Sequence, residues 1–230
     1  MENKPIKALF VNGSPRKNKN TARMLAAAAE GAASKGAQTE IIHLYDLRYC
    51  GCTSCVACKL KEARTEGICA VRDALRPVLE KAVEVDAVVI GSPVYFSDLT
   101  GMTRSFLERF AFPNYSYDLD ADGNRLPPRL RKQTALICTM NIPEAGFGKW
   151  NYDLLLGTSA RILRQTFGSC EELYVCNTYQ FDDYSRYAAG MFDEADKRRH
   201  RDEHFPIDLQ RGYELGCRLV ENLTKPEESH

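Results

Sequence analysis

The run Asp86-Ala87-Val88-Val89-Ile90-Gly91 does most to limit what this chain can fold into. It is apolar and β-branched, has no polar alternation and is too short for a helix. Such a run must be covered on both faces, which is the condition of a central strand in a parallel sheet. Other segments of strand length accompany it: Ile6, Ala8, Leu9, Phe10 and Val11 before it, with Gln38–Leu44, then Thr134–Met140 and a run beginning at Glu172–Val175 after it.

Between these strands the apolar positions change to helical spacing. They recur at Met24, Leu25, Ala28, Ala29 and Ala32, with Gly36 as a natural C-terminal stop, and at Leu75, Val78, Leu79, Ala82 and Val83 within Arg72–Val83. Thr100–Phe110, Tyr152–Phe167 and Gln210–Leu223 follow the same rule, whereas Ala111–Lys132 reads as a polar surface loop. Five strands alternating with helices predict an α/β fold: a doubly wound, three-layer sandwich around a parallel sheet, with residues 1–230 as one domain. Ligands of such sheets sit beyond the carboxyl ends of the strands. Three segments then share one edge: Asn12–Thr21, Ser92–Asp98 and Thr139–Gly148.

The first of these, V-N-G-S-P-R-K-N-K-N-T over Val11–Thr21, joins a strand to a helix that Asn20 or Thr21 is expected to cap. Free backbone N–H groups and the positive end of a helix dipole suit a phosphate. The loop has a single glycine, Gly13, so it matches neither G-x-G-x-x-G nor G-x-x-x-x-G-K-[ST]. Its hydroxyls and amides fit a monophosphate better, and FMN is the obvious cofactor. Ser92-Pro93-Val94-Tyr95-Phe96 presents backbone donors and two aromatics at the same edge, as a flavin ring requires.

Composition removes other classes. Lysine plus arginine and aspartate plus glutamate both number 31, which gives no electrostatic reason to expect nucleic acid or an anionic membrane. No apolar run has the length of a membrane span, and the opening M-E-N-K-P lacks a signal-peptide core, so a cytoplasmic protein is expected.

N-G-S-P-R-x-x-x-N-T, G-S-P-V-Y-F and T-G-M-T-R-S-F-L-E-R together resemble the NAD(P)H-dependent FMN reductase and multimeric flavodoxin superfamily, especially its iron–sulfur flavoprotein branch. The resemblance covers about residues 6 to 142. It implies a flavodoxin-like sandwich with strand order 2-1-3-4-5, non-covalent FMN, and a homodimer or homotetramer in which a neighbour helps cover the flavin. Ser14, Arg16, Asn18, Asn20 and Thr21 would hold the phosphate, Pro93, Val94, Tyr95 and Phe96 would flank the ring, and Thr139, Met140 and Asn141 would form a third contact. The last of these loops, T-M-N-I-P-E, departs from the family's glycine-rich pattern. Hydride would pass from NAD(P)H to FMN, and electrons onward to a quinone, flavin, ferredoxin or other small acceptor. No side chain need act as a catalytic base. The alternative is an electron carrier without nicotinamide reactivity.

Nine cysteines are many for a chain expected in a reducing compartment, and the odd number argues against a closed disulfide framework. Cys52-x2-Cys55-x2-Cys58 followed by Cys69 could ligate a [4Fe–4S] cluster or a zinc ion, or could form a lid with no metal at all. The iron–sulfur flavoproteins carry a similar run with a shorter final gap. Cys50 has no obvious partner, and Cys138, Cys170, Cys176 and Cys217 lie in or beside apolar segments as small hydrophobes.

Two other features are weighed against simpler readings. Cys58 with Arg64 and Thr65 matches the C-x5-R-[ST] pattern of a phosphatase, but this stretch has no glycine and reads as helical. His200, Glu203 and His204 have metal-binding spacing inside K-R-R-H-R-D-E-H, which is more simply a solvated charged face. They belong to an insertion, about 181–206, whose aromatics are expected to pack over the active site or against a partner.

Overall fold

A computed structural model describes residues 4–62 and 67–225. Five strands form the parallel sheet: β1 (Lys7–Asn12), β2 (Gln38–His43), β3 (Ala87–Tyr95), β5 (Gln133–Thr139) and β6 (Glu171–Val175), in the order β2-β1-β3-β5-β6. A short strand, β4 (Asp98–Leu99), folds back antiparallel on the end of β3. The predicted order 2-1-3-4-5 is therefore the order observed, once this hairpin strand is set aside.

The alternation of side chains explains the two covered faces. Leu9, Val11, Val88, Ile90, Leu136 and Cys138 join one core with α2 (Arg76–Glu84), α3 (Gly101–Asn114) and α5 (Tyr152–Phe167). Ala8, Phe10, Val89, Ala135 and Ile137 point the other way, into a core with α1 (Asn20–Ser34) and α7 (Phe205–Thr224). On the first face Phe110 stacks on Phe167 at 4.4 Å. On the second, α1 and α7 meet backbone to backbone: a Cβ on Gly31 would lie 1.9 Å from Tyr213 O, and one on Gly216 would lie 1.9 Å from Ala28 O.

Several boundaries differ from expectation. The third helix runs on to Asn114, carrying Pro113 in its last turn, so the surface loop begins later than Ala111. The last helix starts at Phe205, with Pro206 in its first turn where a missing N–H costs nothing, and not at Gln210. A one-turn helix, α4 (Glu144–Phe147), follows β5, and α6 (Glu194–Glu203) occupies the insertion. Among the described residues, no helix is long and apolar enough to cross a membrane.

At the edge of the sheet opposite the three loops, Lys132 is buried and its ammonium donates to the carbonyls of Val83 and Val85 at the end of α2. Burial lowers its pKa to about 8 from the ordinary 10.5. Between these values the unfolded chain holds the proton and the folded chain does not, so this group makes stability rise with pH across that window. In Lys132→Met the component is missing. Urea denaturation at pH 7.5 and 10 should show the stability difference between wild type and variant moving in the wild type's favour at the higher pH.

Candidate active site at the carboxyl edge of the sheet

The first loop leaves β1 by a close backbone contact. Gly13 N–H donates to Gly91 O at 2.8 Å, and a Cβ on Gly13 would stand 1.8 Å from Thr103 Oγ1. Buried hydroxyls complete the junction. Thr100 Oγ1 donates to Gly13 O (2.9 Å), Thr103 Oγ1 donates to Ser92 Oγ (3.1 Å), and Ser92 Oγ accepts the Thr100 N–H (3.0 Å). Thr100 also caps α3, accepting from Thr103 N–H. One cluster thus fixes the first loop, the end of β3 and the start of α3 relative to one another.

Beyond Gly13 the loop closes through its own side chains: Ser14 N–H donates to Asn12 Oδ1 at 3.0 Å and Arg16 N–H to Ser14 Oγ at 3.1 Å. Helix α1 begins at Asn20 with Lys19 at its N-cap position, which corrects the expected cap at Asn20 or Thr21. Among the described residues no side chain caps it. Its first helical bond is Arg23 N–H to Lys19 O, so the amides of Asn20, Thr21 and Ala22 precede the ladder. The side chains expected to cap are used elsewhere: Thr21 Oγ1 pairs with Thr139 Oγ1 at 2.7 Å, and Asn20 Nδ2 donates to Tyr179 O at 3.0 Å.

A cleft of about 320 Å³ opens over this helix end. Of the residues singled out by sequence, Ser14, Arg16, Asn20, Thr21, Pro93, Val94, Tyr95, Thr139, Met140 and Asn141 line it. Asn18 and Phe96 do not. Asn18 is exposed on the loop's outer side. Phe96 sits with Ser97 at the tip of the β3–β4 hairpin, both at positive φ (49° and 66°), and its ring stands fully in solvent. The two-residue turn, with both central residues left-handed, sends Phe96 away from the cleft and leaves Tyr95 beside it.

Sequence reasoning missed Lys19, Thr178 and Gln180, which line the same cleft together with Phe181 and Tyr187 of the insertion whose aromatics are expected over the active site or against a partner. The signal was present in the topology: N-T-Y-Q-F-D follows β6 directly, and the carboxyl-edge rule holds for that strand as for the others. Phe181 and Tyr187 stack at 4.5 Å, and Tyr179 and Phe181 each lie 5.1 Å from Tyr184, so the aromatics of the insertion form a wall over the site. From α6, buried Lys197 reaches Asn141 O and Asn177 Oδ1, and burial lowers its pKa to about 8. It anchors the insertion to the third loop. His200 and His204 on the same helix stack at 4.8 Å.

The residues present fit a phosphorylated, hydrogen-bonding ring. An uncapped helix end with Arg16 and Lys19 beside it suits the phosphate. Asn141 Oδ1 is buried at the cleft and, among the described residues, has no partner. A buried acceptor in that condition calls for a donor from what binds there.

The cysteine segment lies on the other side of α3. Cys52, Cys55, Cys58 and Cys69 all line one small cavity, of about 10 Å³, with Glu108, Arg109 and Phe112. Cys50 is outside that lining. The turn carrying the first three thiols has Ser54 and Val56 at positive φ (55° and 48°), a costly conformation for a β-branched residue. Arg109, from α3, holds the segment: its guanidinium is bidentate to Asp73 (2.5 and 3.0 Å) and also donates to Cys50 O and Val71 O. Burial works against its charge, but the Asp73 and Cys69 side chains keep it protonated. Its Nε is buried and has no partner among the described residues. Four thiols beside a cation with a spare N–H are the donor types a cluster uses, while the cavity between them is the size of one water and would have to open to admit a cluster. Among the described residues, no three metal-binding side chains converge as around a single ion.

Burial raises the Cys58 thiol pKa, the reverse of what a phosphatase nucleophile needs, and Arg64 and Thr65 lie outside the described residues. Cys138, Cys170 and Cys176 are likewise pushed up by burial, Cys170 to about 12 and Cys176 to about 11.

Residues 6–139 match the family model described as NADPH-dependent FMN reductase. The chain belongs to this family. Within the FMN reductase family it is similar to iron–sulfur flavoproteins: it is 40% identical over 104 residues to an iron–sulfur flavoprotein of Archaeoglobus fulgidus, and 33% identical over 104 residues to the iron–sulfur flavoprotein MJ1083 of Methanocaldococcus jannaschii. These matches cover 45% of this chain and about half of each relative (48% and 51%). Among solved structures the fold is shared with an NAD(P)H:quinone oxidoreductase from Methanothermobacter marburgensis (TM-score 0.64, 14% identity, 94% of this chain and 100% of that one) and an azoreductase from Bacillus anthracis (0.63, 13%, 93% and 99%).

The Gly13 junction tests the geometry of this cleft. Gly13→Ala drives a methyl into Thr103 and Gly91, and should cost about 3 kcal/mol or prevent folding. Denaturant titration against wild type measures it, and a loss under 1 kcal/mol would mean the contact is looser than described.

Proposed function

We propose that the protein is an FMN-dependent oxidoreductase that takes hydride from NAD(P)H and passes electrons to a quinone, flavin, ferredoxin or other small acceptor. The observation that carries this reading is the single cleft that joins an uncapped helix N-terminus, with Arg16 and Lys19, to the Tyr95 hairpin and to the unpartnered Asn141 Oδ1. The family match over residues 6–139 supports it independently.

Bound FMN supplies a flavin N5 that accepts and releases hydride, so the protein's work is to hold, shield and expose it selectively. Ser14, Arg16, Lys19, Asn20 and Thr21 would hold the phosphate, with the first amides of α1. Pro93, Val94 and Tyr95 would bound the ring on one side, and Thr139, Met140 and Asn141 on the other, where the spare Asn141 oxygen would accept a hydrogen bond. Phe181 and Tyr187 exclude water from above. The face beside half-exposed Tyr95 stays open for a planar donor or acceptor to stack. Phe96 at the hairpin tip, fully solvated in one chain, suits the homodimer or homotetramer expected of the family, in which a neighbour covers the flavin.

Anaerobic addition of NADPH or NADH to the flavin-loaded protein should bleach its visible absorbance within seconds. If both leave the colour unchanged while dithionite removes it, the protein is an electron carrier of flavodoxin type instead.

Cys52, Cys55, Cys58 and Cys69 would hold a [4Fe–4S] cluster, with Arg109 Nε donating to its sulfur shell, and the centre would let two-electron input leave as single electrons. Protein purified without oxygen should contain about four irons per chain. Cys55→Ser should lose most of that iron and Cys50→Ser should keep it. Equal iron in both variants, or iron absent from all, would remove the cluster.

A further inference from the structure

The donors that would meet a cofactor phosphate are already engaged, and by one short stretch of chain. Arg16 Nη1 donates to Gln180 O at 2.6 Å, Asn20 Nδ2 donates to Tyr179 O at 3.0 Å, and Lys19 Nζ forms an ion pair with Asp182. The partners are two carbonyl oxygens and a carboxylate from Tyr179–Asp182, the strap that leaves β6 and enters the aromatic wall. A fourth contact, Asn141 Nδ2 to Gln180 Oε1 at 2.6 Å, ties the same strap to the third loop.

These acceptors meet the same donors as phosphate oxygens would, and one of them carries charge. The Asp182 side chain is 83% exposed, so packing does not hold it at the loop. Its hydrogen bond and ion pair with Lys19 do so, and they keep its carboxyl below the usual range. A carboxylate held next to a phosphate dianion repels it, and it also occupies the ammonium the dianion would use.

Resting on the flavin reading above, we propose that the Tyr179–Asp182 strap competes with the cofactor phosphate for Arg16, Lys19 and Asn20, and that Asp182 sets how strongly a phosphorylated flavin is preferred over an unphosphorylated one. Binding of the phosphate exchanges the strap's oxygens for its own. The wall formed by Phe181, Tyr184 and Tyr187, which is continuous with the strap, is then released to settle on the ring.

The test is to strip the full-length protein of flavin and titrate it with FMN and with riboflavin, following flavin fluorescence, in wild type, Asp182→Asn and Asp182→Glu. Asp182→Asn should bind FMN roughly three- to tenfold more tightly, with the gain shrinking at high salt, while riboflavin binding stays the same. Asp182→Glu keeps the charge and should match wild type. FMN affinity unchanged or weakened in Asp182→Asn, or a gain shared equally by riboflavin, overturns the proposal while leaving the flavin site intact. Failure of the flavin reading looks different: the wild type then quenches neither flavin, and the proposal falls with it.

Discussion

The approach of Gly13 to Gly91 is the contact on which the site depends. An N–H to carbonyl bond of 2.8 Å between adjacent strand ends leaves no room for a side chain, and Thr103 from α3 occupies the space a Cβ would take. Three separate pieces of chain are thereby locked at one point: the β1–α1 loop, the β3–β4 hairpin and the helix that carries Arg109. Ser92, Thr100 and Thr103 bond one another and the Gly13 carbonyl, so the junction leaves none of those hydroxyls unused, as a buried polar cluster must if it is to add rigidity. Displacing any of the three pieces would break bonds belonging to the others.

Arg109 extends the same logic to the opposite side of α3. A fully buried guanidinium is costly unless its donors are used, and here four of its bonds go to Asp73, Cys50 and Val71, which bracket the cysteine turn in sequence. The turn itself carries two left-handed residues that would not persist alone. One helix therefore positions both the loops of the cleft and the thiols, and places the two at a fixed relation within one chain.

Much of this was legible in the residues. The uniform burial demanded by Val88, Val89 and Ile90 gave the central strand, and the helical spacing in Tyr152–Phe167 gave that helix to the residue. The first and third loops followed from topology, because strand ends in a parallel sheet share an edge. What was not legible depended on conformations that composition does not encode. Phe96 looked like a ring contact until its positive φ turned it outward, and Thr21 looked like a cap until Thr139, more than a hundred residues away, claimed its hydroxyl. Lys19 and the strap at Tyr179–Asp182 escaped notice because their meeting is purely tertiary, a pairing between residues with no common periodicity or motif.

The glycine contact between α1 and α7 has a consequence for how the cleft measures its contents. Two helices whose backbones touch at Gly31 and Gly216 cannot slide past each other by exchanging rotamers there, since neither contact point has a side chain to exchange. The amino end of α1 is therefore a fixed origin, and the β3–β4 hairpin, pinned through Gly13, is a fixed stop at a set distance from it. A molecule held between them would meet two boundaries at a set separation. The aromatic wall above is tied by side chains instead of by backbone contact, which gives the cleft two rigid jaws and a softer roof.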